Sequence, residues 1–276
     1  MGLVLTAALL HAIWNAMVKS KGTPEFSIAA FQLVGALICL CLTPLLPIPD
    51  RQSWPMILAS VLIHNVYYFS LARAYRTGDL SQVYPLFRGL APVLVAAGAA
   101  GAADEWLSPG TMLGIGLISL GVTSLAFMRQ SMGRITPGAL RWGLCTAVLI
   151  AMYTIVDGLG VRAAGNALSY IIWLFIFEGI PIACILLIYR RRAWFGYMRS
   201  HALSIVAGGI ASSAAYGLVI FAMGLGAMAV VSSLRETSVI FAAIIGAMVL
   251  HEPFGRARIR AAILVSIGIG MMRLLG

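Results

Sequence analysis

Along this chain polar residues come in short clusters, and the stretches between them stay apolar for 16 to 24 residues at a time. A bilayer core of about 30 Å needs about 20 such residues per spanning helix. Ten stretches qualify: Leu3–Val18, Phe26–Leu46, Pro55–Ala74, Leu80–Ala103, Pro109–Met128, Leu140–Val161, Ala167–Tyr189, Ala202–Met223, Ala227–Leu250 and Ala257–Leu275. The last is the weakest, because Arg258 and Arg260 fall in its first turns and Arg273 near its end. The breaks carry turn residues, such as Gly22-Thr23-Pro24, Ser108-Pro109-Gly110 and Pro253-Phe254-Gly255. Membrane barrel strands would show segments of about 10 residues alternating inward and outward, so continuous runs predict helices, which satisfy their own backbone groups in lipid. The predicted fold is an all-α integral membrane protein of ten transmembrane helices.

Composition agrees. Of 276 residues 61% are apolar and only 10% charged, against about 25% charged in soluble domains. The net charge of +10 would point to nucleic acid if the basic residues formed one face, but they sit in the gaps between apolar runs, so no nucleic-acid partner is expected. Cys39, Cys41, Cys145 and Cys184 all lie inside apolar runs without ligand spacing, and read as packing residues. No metal and no cofactor is implied. The first apolar run has lysines after it and no basic residue before it, the wrong order for a cleaved signal peptide, so it is expected to remain as the first helix.

Alternating the ten spans puts fourteen of the 19 basic residues on one side and three (Arg51, Arg162, Arg273) on the other, with Arg88 and Arg235 inside spans. The basic side is predicted to be cytoplasmic, which turns both termini outward.

An offset of 147 aligns Arg88 with Arg235, Glu105 with Glu252, Ser119 with Ser266 and Gly121 with Gly268. Two rare charges coinciding in one ungapped register point to a duplication, with residues 1–130 and 131–276 as the two five-helix repeats. An odd number of spans per repeat inserts the second upside down. Inverted repeats put a substrate site at their interface near the midplane and permit two mirror-related states, which is alternating access.

The ten helices in two halves, the Leu10-His11-Ala12-Ile13-Trp14-Asn15 stretch, and a glutamate after the fourth and ninth helices (Asp104-Glu105-Trp106-Leu107-Ser108-Pro109 and His251-Glu252-Pro253-Phe254) resemble the EamA family of the drug/metabolite transporter superfamily. The resemblance covers essentially the whole chain. It implies a carrier of small metabolites, often a proton-coupled exporter, in the plasma membrane (the bacterial inner membrane). It also implies termini in the cytoplasm, opposite to the charge count.

Ionisable side chains inside a span cost about 2.5 to 3.5 kcal/mol each and are functional candidates by default. Arg88 and Arg235 each lie about eight residues into their spans, ~12 Å deep at 1.5 Å per residue. Tyr84 precedes Arg88 by one turn, and Ser232 lies three and four residues before Arg235 and Glu236, giving matched polar stripes. These are predicted to bind substrate, the arginines gripping a carboxylate or phosphate; the competing structural role pairs them with Glu178 and Glu236. Trp14 and Asn15 beside His11, His64 and Tyr68, Tyr216, and Trp173 are further candidates for the cavity wall, with Gln32 and Tyr153 as isolated ones. Glu178 and Glu236 are the candidates for proton coupling, with His64 a weaker one and Asp157 deep in the sixth span. Two positive and two negative charges suit a small zwitterion such as an amino acid.

Partners are expected to be that small molecule and membrane lipids, the chain being a monomer or a homodimer through its glycine-rich fifth or tenth helix. The alternatives are a lipid or lipid-linked-sugar flippase of the same architecture, a channel, and a membrane-embedded enzyme. An enzyme would need a polar constellation that the nine scattered acidic residues and four dispersed histidines do not form.

Overall fold

A computed structural model describes residues 1–19, 24–77, 80–127, 135–241, 244 and 256–275. All its regular structure among these is helical: α1 (Gly2–Lys19), α2 (Pro24–Leu42), α3 (Trp54–Thr77), α4 (Leu80–Ala102), α5 (Pro109–Phe127), α6 (Pro137–Ala163), α7 (Ala167–Tyr189), α8 (Arg191–Ser200), α9 (Ala202–Leu225), α10 (Met228–Arg235) and α11 (Arg256–Leu274). Local sequence starts several of them. Pro137 opens α6 behind Thr136, whose hydroxyl accepts from Ala139 N, and Asn166 caps α7 by accepting from Leu168 N and Ser169 N.

Among the described residues seven helices, α2 to α7 and α9, are long and apolar enough to cross a bilayer. Ten spans are therefore not confirmed. The first is apolar but shorter, the last begins with Arg256, Arg258 and Arg260, and the ninth is interrupted. Instead of running on from Ala227, α10 ends at Arg235 in a turn at Glu236 and Thr237, and helical backbone resumes at 238–241. The rest of that span, and Glu252 with it, lies outside the described residues. The outward faces carry leucines such as Leu62 and Leu120, 68% and 65% exposed. In a chain of this hydropathy that surface belongs to lipid, making this a multi-pass membrane protein.

Helix packing follows a twofold rule. α1 packs on α9 as α6 packs on α3; α4 meets α6 as α10 meets α1; and α2 meets α9 as α7 meets α3. The pairs α2 with α7, α4 with α10 and α5 with α11 map onto themselves under the exchange. α5 and α11 approach closely: a Cβ on Gly114 would stand 2.6 Å from the Gly268 carbonyl oxygen, and one on Gly110 2.4 Å from that of Leu275, just past α11. These glycines serve packing within the chain.

α8 is an element the hydrophobic pattern did not announce. Its Trp194 and Tyr197 are buried against Phe26, with ring centroids 5.9 and 5.6 Å away, and Tyr197 Oη is 2.7 Å from Ser27 Oγ. Arg191, Arg192 and Arg199 stay exposed. It is an amphipathic helix lying on the bundle.

Candidate functional site

Arg88, Arg235 and Glu236 come together inside the bundle, all of them buried. α4 supplies Arg88 and holds Pro85 and Pro92 within its length, while α10 delivers Arg235 as its last residue. Just there the backbone tightens: Glu236 N bonds Ser233 O at 3.0 Å, Thr237 N bonds Leu234 O at 3.1 Å, and Val239 N bonds Glu236 O at 3.1 Å. Bonds of this i to i+3 kind within a span mark a hinge or a working site.

Arg88 Nε stands 2.9 Å from Glu236 Oε2 and Arg235 Nε 3.8 Å from Oε1. The first contact is misaligned for a hydrogen bond and the second too long for one. Among the described residues, ten buried side-chain polar atoms have no hydrogen-bond partner, and eight of them are here: two each on Arg88, Arg235 and Glu236, and one each on Ser232 and Ser238. A buried unsatisfied group costs about 1–3 kcal/mol, so such a concentration in one place calls for an occupant or a function. Tyr84 lends its ring face to the Arg88 guanidinium at 6.0 Å. His11 of α1 is within electrostatic reach of both arginines.

A second cluster adjoins the first. Glu178 of α7 does not pair with either arginine, contrary to one expectation; His64 Nε2 is 3.7 Å from its Oε1 and Tyr68 Oη donates to the same oxygen at 3.2 Å. Gln32 in turn donates to Tyr68 Oη. Asp157 of α6 accepts from Tyr170 Oη at 3.0 Å and Tyr216 Oη at 2.5 Å. Rings close the space around His64: Tyr153 is stacked on it at 4.1 Å, Tyr216 is edge-on at 5.8 Å, and Tyr67 and Tyr68 lie at 6.3 and 6.4 Å. Tyr153 also packs in one cluster with Phe87 and Tyr84 of α4, so it joins the two clusters into one site with a cationic and an acidic pole.

Of the residues singled out in the sequence, Arg88, Tyr84, Arg235, Ser232, Glu236, His64, Tyr68, Tyr216 and Glu178 thus belong to the two clusters. Three others go elsewhere. Asn15 donates its amide to His11 O on its own helix at 2.7 Å, and Trp14 packs with the Phe26–Trp194 group. Trp173 is tilted against Trp54 at 5.3 Å and stacked on Phe177 at 6.0 Å. Asp157 is the acidic member that the matched-stripe argument left aside; its depth in the sixth span was the only signal for it.

The sequence of the chain matches one family over residues 1–127 and again over 138–274, a family described as EamA-like transporters. The chain belongs to the EamA-like transporter family. It is thereby a member of the drug/metabolite transporter superfamily. A solved structure described only as "Crystal structure of protein" has the same fold, with a TM-score of 0.76 at 17% identity over 99% of this chain and 96% of that one. No curated protein matches the sequence. The polar poles described above are therefore those of an EamA-like transporter.

Proposed function

We propose that this EamA-like protein is a secondary transporter that moves a small zwitterionic, amino-acid-like metabolite by alternating access between two inverted five-helix repeats. The observation that carries the reading is the set of unsatisfied buried donors on Arg88 and Arg235 at the break in the ninth span. Two guanidinium groups against one carboxylate leave a net positive charge, and a substrate carboxylate would satisfy their forks bidentately. The acidic pole, walled by tyrosines, offers Asp157 to the ammonium end. Export is the direction that the family resemblance implies.

Proton coupling is assigned to Glu178 with His64 rather than to Glu236. His64 Nδ1 lies 2.9 Å from the Ser60 carbonyl and 3.2 Å from Ser60 Oγ. Its Nε2 faces Glu178 Oε1 at 3.7 Å, close enough for a small movement to bring the two into proton-transfer contact. Glu236 is instead committed to two arginines.

The test is flux in proteoliposomes of the purified protein, over a panel of amino acids, with and without a pH gradient. Saturable, gradient-driven uptake that Arg88→Gln abolishes is the expected result. Non-saturating flux would make the protein a channel, and lipid scrambling without amino-acid uptake would make it a flippase.

A further inference from the structure

One charged contact lies away from both poles and joins the two halves. Asp104 sits at φ 54°, a left-handed conformation that aspartate tolerates. It turns the chain at the end of α4, where Glu105 N bonds back to Ala99 O at 3.2 Å. That turn directs the Glu105 carboxylate into the second half. Oε1 meets Arg162 Nη2 at 2.5 Å, and Oε2 accepts from Met228 N, the first residue of α10, at 2.8 Å. Arg162, at the end of α6, also donates to Met223 O at 3.0 Å and Gly226 O at 2.8 Å. One glutamate and one arginine thus tie the end of α4, the end of α6 and the link between α9 and α10. In the sequence Arg162 served only as a marker of orientation.

The circuit closes through the site. α10 is eight residues long, so at 1.5 Å per residue about 12 Å separates Met228, held by Glu105, from Arg235 and Glu236, held by Arg88. α10 is fastened by charge at both of its ends, to Glu105 just past α4 and to Arg88 within it. Anything that shifts Glu236 from Arg88 strains the Met228 end, and release of the Met228 end frees Arg235 and Glu236.

We infer that Glu105 and Arg162 are positioning residues that bolt α10 in place and close this face of the site, and that the bolt opens in each transport cycle. Only the final clause rests on the transport function proposed above. Among the described residues, the other cross-half hydrogen bonds near the ends of the helices, such as Asp50 N to Ala164 O and Ser108 Oγ to Leu275 O, are uncharged.

The test uses the full chain with Cys39, Cys41, Cys145 and Cys184 replaced by serine and a reporter, Ser232→Cys, on α10. A membrane-impermeant methanethiosulfonate is applied from the face that bears Arg51 and Arg162. Loss of a charge-assisted hydrogen bond should speed labelling about tenfold in Glu105→Gln and Arg162→Gln, with Arg162→Lys in between. Equal labelling in folded variants overturns the inference. A second measurement serves if the glutamine variants fail to fold: Glu105→Cys with Arg162→Cys, joined by a short cleavable bis-thiol linker, should stop flux until the linker is cut. Full flux while linked overturns the inference. Faster labelling in a protein that carries no amino acid would instead sink the transport proposal and leave the bolt standing.

Discussion

Glu236 and Glu178 are both buried carboxylates in the middle of the bundle, yet their surroundings differ in kind. Glu236 has a guanidinium on either side and no aligned hydrogen bond among the described residues, whereas Glu178 is held by Tyr68 and faces His64. Asp157, next to Glu178, has a tyrosine on each oxygen. The cationic pole keeps its charges close but its hydrogen-bonding capacity unspent; the acidic pole has spent its own on the protein. A ligand gains most where donors are already desolvated and unpaired, since no existing bond has to be broken. On the proposed reading the arginines grip the substrate, and proton exchange, which needs a stable hydrogen-bonded frame, falls to His64 and Glu178.

The largest expected effect attacks the cationic pole. Glu236→Ala leaves two buried arginines without their counter-ion and should destabilise the protein by about 3–5 kcal/mol, read as a fall in Tm in detergent. A Tm within a degree of the parent would mean that the arginines have another anion. Glu178→Gln should abolish accumulation driven by a pH gradient while leaving exchange of substrate on both sides intact. If gradient-driven uptake persists, the division of labour between the poles collapses.

Arg88→Lys keeps the charge and loses the planar fork, so KM for the zwitterion should rise about tenfold with little change in Tm. An unchanged KM would take substrate contact away from Arg88. Tyr216→Phe removes one of the hydrogen bonds to Asp157 and should cost about 1 kcal/mol of stability, with saturated flux retained. A loss of flux without a loss of stability would move Tyr216 from the frame of the acidic pole to its working surface.

Much of the fold was legible because lipid forces it: runs of about 20 apolar residues have one stable backbone solution, and the register of Arg88 with Arg235 exposed the repeat. The packing of α1 on α9 as α6 on α3 follows that repeat. α8 was not legible, since ten residues rich in arginine form no span. Nor was the break after Arg235, because hydropathy does not register a two-residue turn inside an apolar run.

What the chain determined by itself was where the long apolar helices run, that they face lipid, and which few charges had to find partners inside. Depth along a helix is set by counting. Which partner each charge found was decided only by the tertiary structure, because Arg88 had Glu178 and Glu236 at similar depth and only helix packing brings one of them within 2.9 Å. The same holds for Glu105 and Arg162, 57 residues apart in sequence: an ion pair depends on a few ångströms of separation, and sequence distance carries no such measure.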